Sequence, residues 1–259
     1  MFEKTKKEYS KNGYAIIRNI IDTNLISEIQ SHVNWLSKKY PDIHPESFHH
    51  HLLVHDPFIH HLLNNKNLLD LVEQIIGPDI AVFGVHYIAK KPYDGKPVGW
   101  HQDGSYWNLE PMKVLSLWLA GTDSTAENAC MRVIPGTHKK KLLKPSEMIN
   151  LNTEDFVLDL AIHPDEINHA DAVNIELKAG DISIHNPLIV HGSNPNVSDK
   201  WRIGLTLRYI PTSTYVNKRD WKCILLRGNS TNDINNNYIT KPVFNQKEHM
   251  SFIGQEFYY

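Results

Sequence analysis

Trp100-His101-Gln102-Asp103 places an imidazole and a carboxylate two positions apart in the middle of the chain. Side chains on a β-strand alternate between its two faces, so on a strand His101 and Asp103 lie on the same side. His191 follows about ninety residues later, next to a glycine that permits close backbone approach. Two histidines and one carboxylate form the ligand set of non-haem Fe(II), and this set leaves adjacent coordination positions open. The combined spacing therefore predicts a metal site.

Arg202 follows His191 and opens the apolar run Ile203–Ile210. A guanidinium that enters the interior of a protein is costly unless an anion pairs with it. The carboxylate of a co-substrate would serve, because the planar fork of arginine binds carboxylates through two parallel hydrogen bonds. A structural Asp or Glu partner is the alternative.

Three segments carry a family resemblance. The chain resembles the phytanoyl-CoA dioxygenase family of Fe(II)/2-oxoglutarate-dependent oxygenases over residues 8–230, through Trp100-His101-Gln102-Asp103, the stretch from Glu127 to His138, and His191-Gly192-Ser193 with Arg202. The resemblance implies a double-stranded β-helix that binds Fe(II) through His101, Asp103 and His191. It also implies that O₂ and 2-oxoglutarate are co-substrates, and that Arg202 anchors the distal carboxylate with Ser193 and Gln102 nearby.

Further candidates surround these segments. Trp118 lies in an apolar strand and is either a core residue or a contact of the co-substrate. Ser105, Tyr106 and Trp107 directly follow the predicted ligand strand and are candidates for the substrate wall. The remaining candidates for substrate contact are Tyr87, Lys90 and Arg208, with a solvated loop charge as the alternative for Lys90 and an acidic partner as the alternative for Arg208.

The arrangement of predicted elements explains how distant residues meet. Helical periodicity follows an Asp22-Thr23-Asn24 cap and recurs from Leu68 to Ile76, which Gly77-Pro78 ends. Short β-rich runs then follow at Ile80–Ala89, Val114–Ala120, Met131–Ile134, Val173–Leu177, Ile182–His185 and Ile203–Ile210. Helices followed by many short strands predict a mostly β fold with N-terminal helices flanking a cupin-like jelly roll. We expect one domain over residues 1–259.

Composition narrows the function classes. The formal net charge is −2, with 27 basic and 29 acidic residues, so the sequence predicts neither nucleic-acid nor membrane binding. The N-terminal residues lack the apolar core of a signal peptide. Only two cysteines occur, without the spacing of a zinc site, which favours a reduced cytoplasmic setting. The oligomeric state stays open.

Three functions compete at this point. The first is hydroxylation of an aliphatic C–H bond of a small metabolite, coupled to conversion of 2-oxoglutarate to succinate. The second uses the same machinery for desaturation, cyclisation or epimerisation. The third is a non-catalytic, cupin-like metal-binding protein, which an anchor for a co-substrate argues against. Because Asp103 is retained where one branch of the family has Ala or Gly, halogenation is disfavoured.

Overall fold

The computed structural model describes residues 2–259. Its α-helices lie in the first third of the chain and are Phe2–Asn12 (α1), Thr23–Lys39 (α2), His50–Leu53 (α3), Pro57–Leu63 (α4) and Lys66–Ile76 (α5). Asp22 caps α2 by accepting hydrogen bonds from the backbone N–H groups of Asn24 and Leu25, as the sequence predicts. Gly77 ends α5 with a φ of 97°, a conformation that favours glycine. The predicted helical start of the chain is confirmed. The short helices α3 and α4 were not predicted, because they are too short to show a hydrophobic period in the sequence.

Strands occupy most of the remaining chain. They are Tyr14–Ile17 (β1), Ile80–Lys90 (β2), Val98–His101 (β3), Leu109–Glu110 (β4), Leu115–Ala120 (β5), Arg132–Ile134 (β6), Ile149–Asn150 (β7), Leu160–Ala161 (β8), Val173–Asn174 (β9), Ile182–His185 (β10), Val190–Ser193 (β11), Arg202–Pro211 (β12), Tyr215–Val216 (β13), Lys222–Arg227 (β14) and Asn237–Tyr238 (β15). The predicted strand Val173–Leu177 is wrong beyond Asn174. After Asn174 the chain leaves β6, and Leu177 forms only an isolated bridge with Ser124.

Two sheets of unequal size build the jelly roll. The main sheet has the order β1-β10-β5-β12-β2-β14-β15, and the minor sheet has the order β3-β11-β6-β9. Within the described residues the hydrogen bonds do not close these sheets into one barrel. The predicted mostly β, cupin-like fold with flanking N-terminal helices is confirmed.

The helices cover one face of the main sheet. Apolar side chains of α2, α4 and α5 pack with those of β2, β5 and β12 in one buried cluster, which includes Ile29, Leu62, Val72, Val85 and Leu207. This packing leaves the opposite face of the main sheet for the minor sheet, and it fixes which side chains of β2, β5 and β12 face the space between the sheets. No helix of residues 2–259 is long and apolar enough to cross a membrane.

Candidate active site

His101 and His191 meet across two neighbouring strands of the minor sheet. They are register partners in the antiparallel pair β3·β11, and their ring centroids lie 4.2 Å apart. Directly opposed residues of an antiparallel pair bring their side chains together, so this register places both imidazoles at one point. Gly192 allows the close pairing, because a Cβ there would lie 2.8 Å from the carbonyl oxygen of Val98.

Backbone hydrogen bonds fix both imidazole rings. The Nδ1–H of His101 donates to the carbonyl of Gly99 at 2.8 Å, and that of His191 donates to Ile189 at 3.0 Å. The proton therefore sits on Nδ1 in each neutral ring, and Nε2 is left with its lone pair, as a metal ligand requires. Burial and the neighbouring His101 lower the pKa of His191 well below its usual value, which keeps the ring neutral.

Asp103 supplies the third group. It begins a short 3₁₀ turn, Asp103–Tyr106, and its Oδ1 lies 3.5 Å from Nε2 of His101 and 3.9 Å from Nε2 of His191. Burial raises the pKa of Asp103, but the charge of Arg208 and the contacts with His101 and His185 outweigh it, so the net pKa lies well below the usual value. A buried carboxylate that stays ionised beside two imidazole Nε2 atoms provides the donor chemistry for a divalent ion.

These three residues form a potential metal site. One ligand atom from each of His101, Asp103 and His191 lies within 4.8 Å of the others, and all three residues are buried. Ligands about 2.1 Å from one ion are at most about 4 Å apart, and both distances to Oδ1 fall within that limit. The predicted triad therefore fits one ion, and its two imidazoles and one carboxylate match the set used by non-haem Fe(II).

Two residues that the sequence analysis did not identify hold the other oxygen of Asp103. Ser116 donates its hydroxyl hydrogen to Oδ2 at 3.1 Å, and Nε2 of His185 lies 3.4 Å from the same oxygen. The His185 ring also lies 4.9 Å from the ring of His191. These contacts leave Oδ1 free to face the two Nε2 atoms. The one sequence signal was that His185 ends a predicted strand six residues before His191.

We predict that His185→Ala weakens metal binding by about 10- to 100-fold, because partners that orient metal ligands contribute on that scale. Anaerobic titration of the apoprotein with Fe(II) or Mn(II) in a calorimeter measures the effect. Ser183→Ala is the matched control, since Ser183 lies on the same strand and its buried hydroxyl has no hydrogen bond. An unchanged metal affinity in His185→Ala would contradict the positioning role.

Arg202 points into the space between the sheets. Its guanidinium donates to the backbone carbonyls of Ala129 at 2.7 Å and Ile88 at 3.2 Å, and its buried Nε has no partner. Burial lowers the pKa of Arg202 to about 10. The charge of the buried Glu46 raises this pKa, but no carboxylate of residues 2–259 forms a hydrogen bond or an ion pair with Arg202. Because only two of its N–H groups donate to backbone carbonyls, the guanidinium can still bind an anion.

Trp118 lies beside this arginine. The Arg202 guanidinium carbon is 5.4 Å from the centre of the Trp118 ring, and both residues line the same cavity. Gly204 makes the arrangement possible, because a Cβ there would lie 1.9 Å from a Trp118 ring atom. Ser193 also lines this part of the cavity. The structure thus groups Arg202, Trp118 and Ser193 near the triad.

Gln102 and Ser105 lie outside this group. Gln102 donates to the carbonyl of Leu188 and accepts from the backbone N–H of Leu143, so its amide ties the ligand strand to the segment after β6. Ser105 donates to the carbonyl of Leu143 at 2.8 Å. Neither residue lines the cavity. Their buried bonds to the backbone support the ligand strand, and the expectation that they contact co-substrate or substrate is not supported.

Tyr87 and Lys90 also differ from expectation. The Tyr87 side chain is buried among the helices, where its hydroxyl lies 3.0 Å from Nδ1 of His32. Lys90 is fully buried rather than a solvated loop charge, and its ammonium donates to the carbonyl of Asn194. Burial and the nearby Arg202 lower the pKa of Lys90 well below its usual value. Neither residue lines the cavity, because Tyr87 faces the helical layer and a loop covers the end of β2.

The remaining candidates do line the cavity. Tyr106 packs its ring edge against His101 at 5.8 Å and donates its hydroxyl hydrogen to the carbonyl of Leu160. Trp107 lies beneath the Arg208 guanidinium at 5.2 Å. The cavity has a volume of about 540 Å³, which is typical of small-molecule sites.

The sequence analysis did not identify part of the cavity wall. This part is formed by His49, His50, Phe83, His86, Asn108, Asn217, Lys218 and Trp221. These residues come from loops and strands that no motif connects.

Comparison with protein families identifies this fold and site. The family model described as phytanoyl-CoA dioxygenase matches residues 9–204, which include the triad and Arg202. The chain belongs to this family. The phytanoyl-CoA dioxygenase family is one of Fe(II)/2-oxoglutarate-dependent oxygenases, so the predicted resemblance is confirmed, and with it iron and 2-oxoglutarate as the cofactor and co-substrate of the class.

Individual proteins and solved structures are similar to the chain over different lengths. A phytanoyl-CoA dioxygenase domain-containing protein 1 homolog of Dictyostelium discoideum is 31% identical over 147 residues, which cover 56% of this chain. That match spans 52% of the Dictyostelium relative, or about half of its length. Among solved structures, the apo non-heme monooxygenase ThoJ superposes with a TM-score of 0.77 at 22% identity and covers 94% of this chain and 91% of that chain. The non-heme alpha ketoglutarate dependent epimerase SnoN from nogalamycin biosynthesis has a TM-score of 0.64 at 18% identity, with 84% and 85% covered. At such identities these two structures support the fold alone.

Proposed function

We propose that this protein is an Fe(II)/2-oxoglutarate-dependent dioxygenase that hydroxylates an aliphatic C–H bond of a small metabolite. The observation that carries the proposal is the position of Arg202, a buried cation without an acidic partner, in the same cavity as the His101, Asp103 and His191 triad. A protein that used its metal only structurally would not need an anion anchor beside it. The overall reaction converts substrate, O₂ and 2-oxoglutarate to hydroxylated product, succinate and CO₂.

Each group of residues has a defined part in this proposal. His101, Asp103 and His191 would hold Fe(II), while His185 and Ser116 orient the carboxylate. When bound, Fe(II) together with 2-oxoglutarate supplies the O₂ activation that the side chains cannot perform. Arg202 would bind the distal carboxylate of 2-oxoglutarate between Trp118 and Ser193. The cavity would hold the reacting carbon of the substrate beside His101, Asp103 and His191.

The cavity supports a small substrate. A volume of about 540 Å³, shared with the co-substrate, suits a metabolite rather than a macromolecule. A coenzyme A thioester would require a basic surface for its phosphates, whereas the chain carries a formal net charge of −2. We further propose a single domain in a reducing, cytoplasmic setting, in keeping with the free thiols of Cys130 and Cys223. Cell fractionation tests the cytoplasmic location, and pull-down experiments test whether the protein binds macromolecules.

Succinate formation in the presence of Fe(II), 2-oxoglutarate and a metabolite library tests the proposal. We expect 2-oxoglutarate turnover that the true substrate stimulates, and a product heavier by one oxygen atom. A product lighter by two hydrogens would favour desaturation or cyclisation by the same machinery, and an unchanged mass would favour epimerisation. The absence of succinate under all conditions would favour a metal-binding protein without catalysis.

The source of the added oxygen provides a separate prediction. Because Asp103 occupies the third protein ligand position, a halide has no vacant place beside the metal. We therefore expect one ¹⁸O atom from labelled O₂ in the product, both without chloride and in its excess. Mass spectrometry of parallel reactions with and without chloride measures this, and a chlorinated product from the unmodified protein would contradict it.

A further inference from the structure

Arg208 enters the outer half of the cavity without a hydrogen-bond partner. Its side chain is only 16% exposed, and its buried Nε has no acceptor among residues 2–259. The one carboxylate near it is that of Asp103, whose Oδ1 lies 3.8 Å from Nη2 of Arg208. This is the same oxygen that faces both histidine Nε2 atoms, so its charge is committed to a metal ion once that ion binds. An enclosed guanidinium with five N–H donors is then left without an anion.

The surrounding residues hold this guanidinium in place. Its stem lies over Gly84 on the neighbouring strand β2, where a Cβ would come within 3.1 Å of the Arg208 Cδ. Arg208 continues the alternation of Arg202 and Thr206 along β12, so its side chain faces the cavity as theirs do. The indole of Trp107 supports the other side at 5.2 Å. Gly84 on one side and the indole of Trp107 on the other therefore pack against the Arg208 side chain.

The wall around Arg208 is polar and cationic on one side and aromatic on the other. Asp103 is the single acid among the residues that line the cavity, whereas Lys218 adds a second cation over the Trp221 ring. Burial lowers the pKa of His49, His86 and His50, the last to about 4, so these rings are neutral at pH 7. The fixed positive charges around this part of the cavity therefore belong to Arg208 and Lys218, and of the two only Arg208 lies beside the triad.

The two arginines of β12 occupy separate sites. Arg202 contacts Ala129, Ile88 and Trp118, whereas Arg208 contacts Asp103, Trp107 and Gly84. Six residues of extended strand put their Cα atoms about 20 Å apart. They share none of these neighbours. If Arg202 binds the co-substrate, Arg208 remains for another anion.

We propose that the substrate carries an oxyanion, either a carboxylate or a phosphonate, that Arg208 binds beside the metal triad while the apolar part of the substrate contacts Trp107 and Phe83. This inference rests on the proposed function and adds the chemical class of the substrate to it. The planar guanidinium fork suits both oxyanions and binds them through two hydrogen bonds.

Anaerobic calorimetry on the protein loaded with Mn(II) and 2-oxoglutarate tests this inference. The ligands are alkyl carboxylates, amino acids and alkylphosphonates, each paired with its neutral amide or ester. We expect the acids to bind about 10- to 100-fold more tightly than their neutral counterparts, as the loss of a charge-assisted pair implies. The carboxylate and phosphonate series identify which oxyanion the site takes. In Arg208→Gln we expect the ratio of the affinity for each acid to that for its neutral counterpart to fall to about one.

Three variants make the result specific. Arg219→Gln removes an exposed arginine and should keep the full acid preference. Gly84→Ala retains the guanidinium but displaces it, so acids should bind severalfold more weakly even if Arg208→Gln fails to fold. Arg202→Gln should weaken 2-oxoglutarate binding while the acid preference stays.

The inference is overturned if neutral ligands bind as tightly as acids, if no acid binds, or if Arg208→Gln keeps the preference. Loss of 2-oxoglutarate binding in Arg208→Gln but not in Arg202→Gln would also overturn it, because Arg208 would then be the co-substrate anchor. Failure of the unmodified protein to bind Mn(II) and 2-oxoglutarate at all would instead contradict the proposed function, and this is measured first without any substrate.

Discussion

His101→Ala, Asp103→Ala and His191→Ala are each expected to abolish succinate formation. Each change removes one of three ligand atoms that lie within 4.8 Å of one another. Loss of a ligand should lower metal affinity by more than the about 10- to 100-fold that loss of an orienting partner costs. Stopped assays of 2-oxoglutarate turnover, with the bound iron quantified in the same samples, measure both effects.

The fold should survive these substitutions, because the helices and the main sheet form the largest apolar cluster and the triad lies outside it. Circular dichroism and thermal unfolding check this point. His163→Ala is the control, since His163 lies half exposed in the segment between β8 and β9. Full turnover by iron-free His191→Ala protein would refute the metal assignment and the proposed function with it.

Arg202→Ala is expected to raise the KM for 2-oxoglutarate by about 10- to 100-fold. This range follows from about 1.5–3 kcal/mol for a charge-assisted pair with a carboxylate. Arg202→Lys should recover only part of the loss, because an ammonium cannot form the two parallel hydrogen bonds of the planar fork. Steady-state kinetics and calorimetric titration with 2-oxoglutarate give two independent measures.

The same experiments need a control for general loss of positive charge. Arg219→Ala removes a side chain that is 96% exposed, so its KM should match that of the unmodified protein. If Arg202→Ala binds 2-oxoglutarate as tightly as the unmodified protein does, the anchor lies elsewhere, and Arg208 is the first alternative because it is the other arginine in the cavity lining.

The sequence alone allowed prediction of the elements that carry strong local signals. Asp22 caps α2 and Gly77 ends α5 because a carboxylate at one end and a left-handed φ at the other are local requirements. The predicted strand around His101 is too long, because β3 ends at His101 and Asp103 begins the following 3₁₀ turn, although the two side chains still meet. The length of the strand after Val173 was not predictable, since it depends on how far the neighbouring strand β6 extends.

The contacts of several buried polar residues could not be predicted from local sequence. Lys90, Tyr87, Gln102 and Ser105 have residue types that suit a binding site, yet their partners are His32 and backbone groups far along the chain. Which face of β2 meets the helices decides the contact of Tyr87, whereas distant backbone packed against the ends of β2 and β3 decides those of Lys90, Gln102 and Ser105. A strand pattern that is buried on both faces carries no signal for that choice.

The sequence by itself therefore predicted the ligand triad, Arg202 and the fold class, because a short spacing and a long family motif encode them. Only the tertiary structure decided that His185 and Ser116 hold Asp103, that Arg202 has no acidic partner, and that Arg208 stands unpaired over Trp107. These facts depend on sheet register, because Ser116 of β5 is paired with His185 of β10 on one side and with Arg208 of β12 on the other. Register arises from packing of whole sheets, and no local stretch of sequence specifies it.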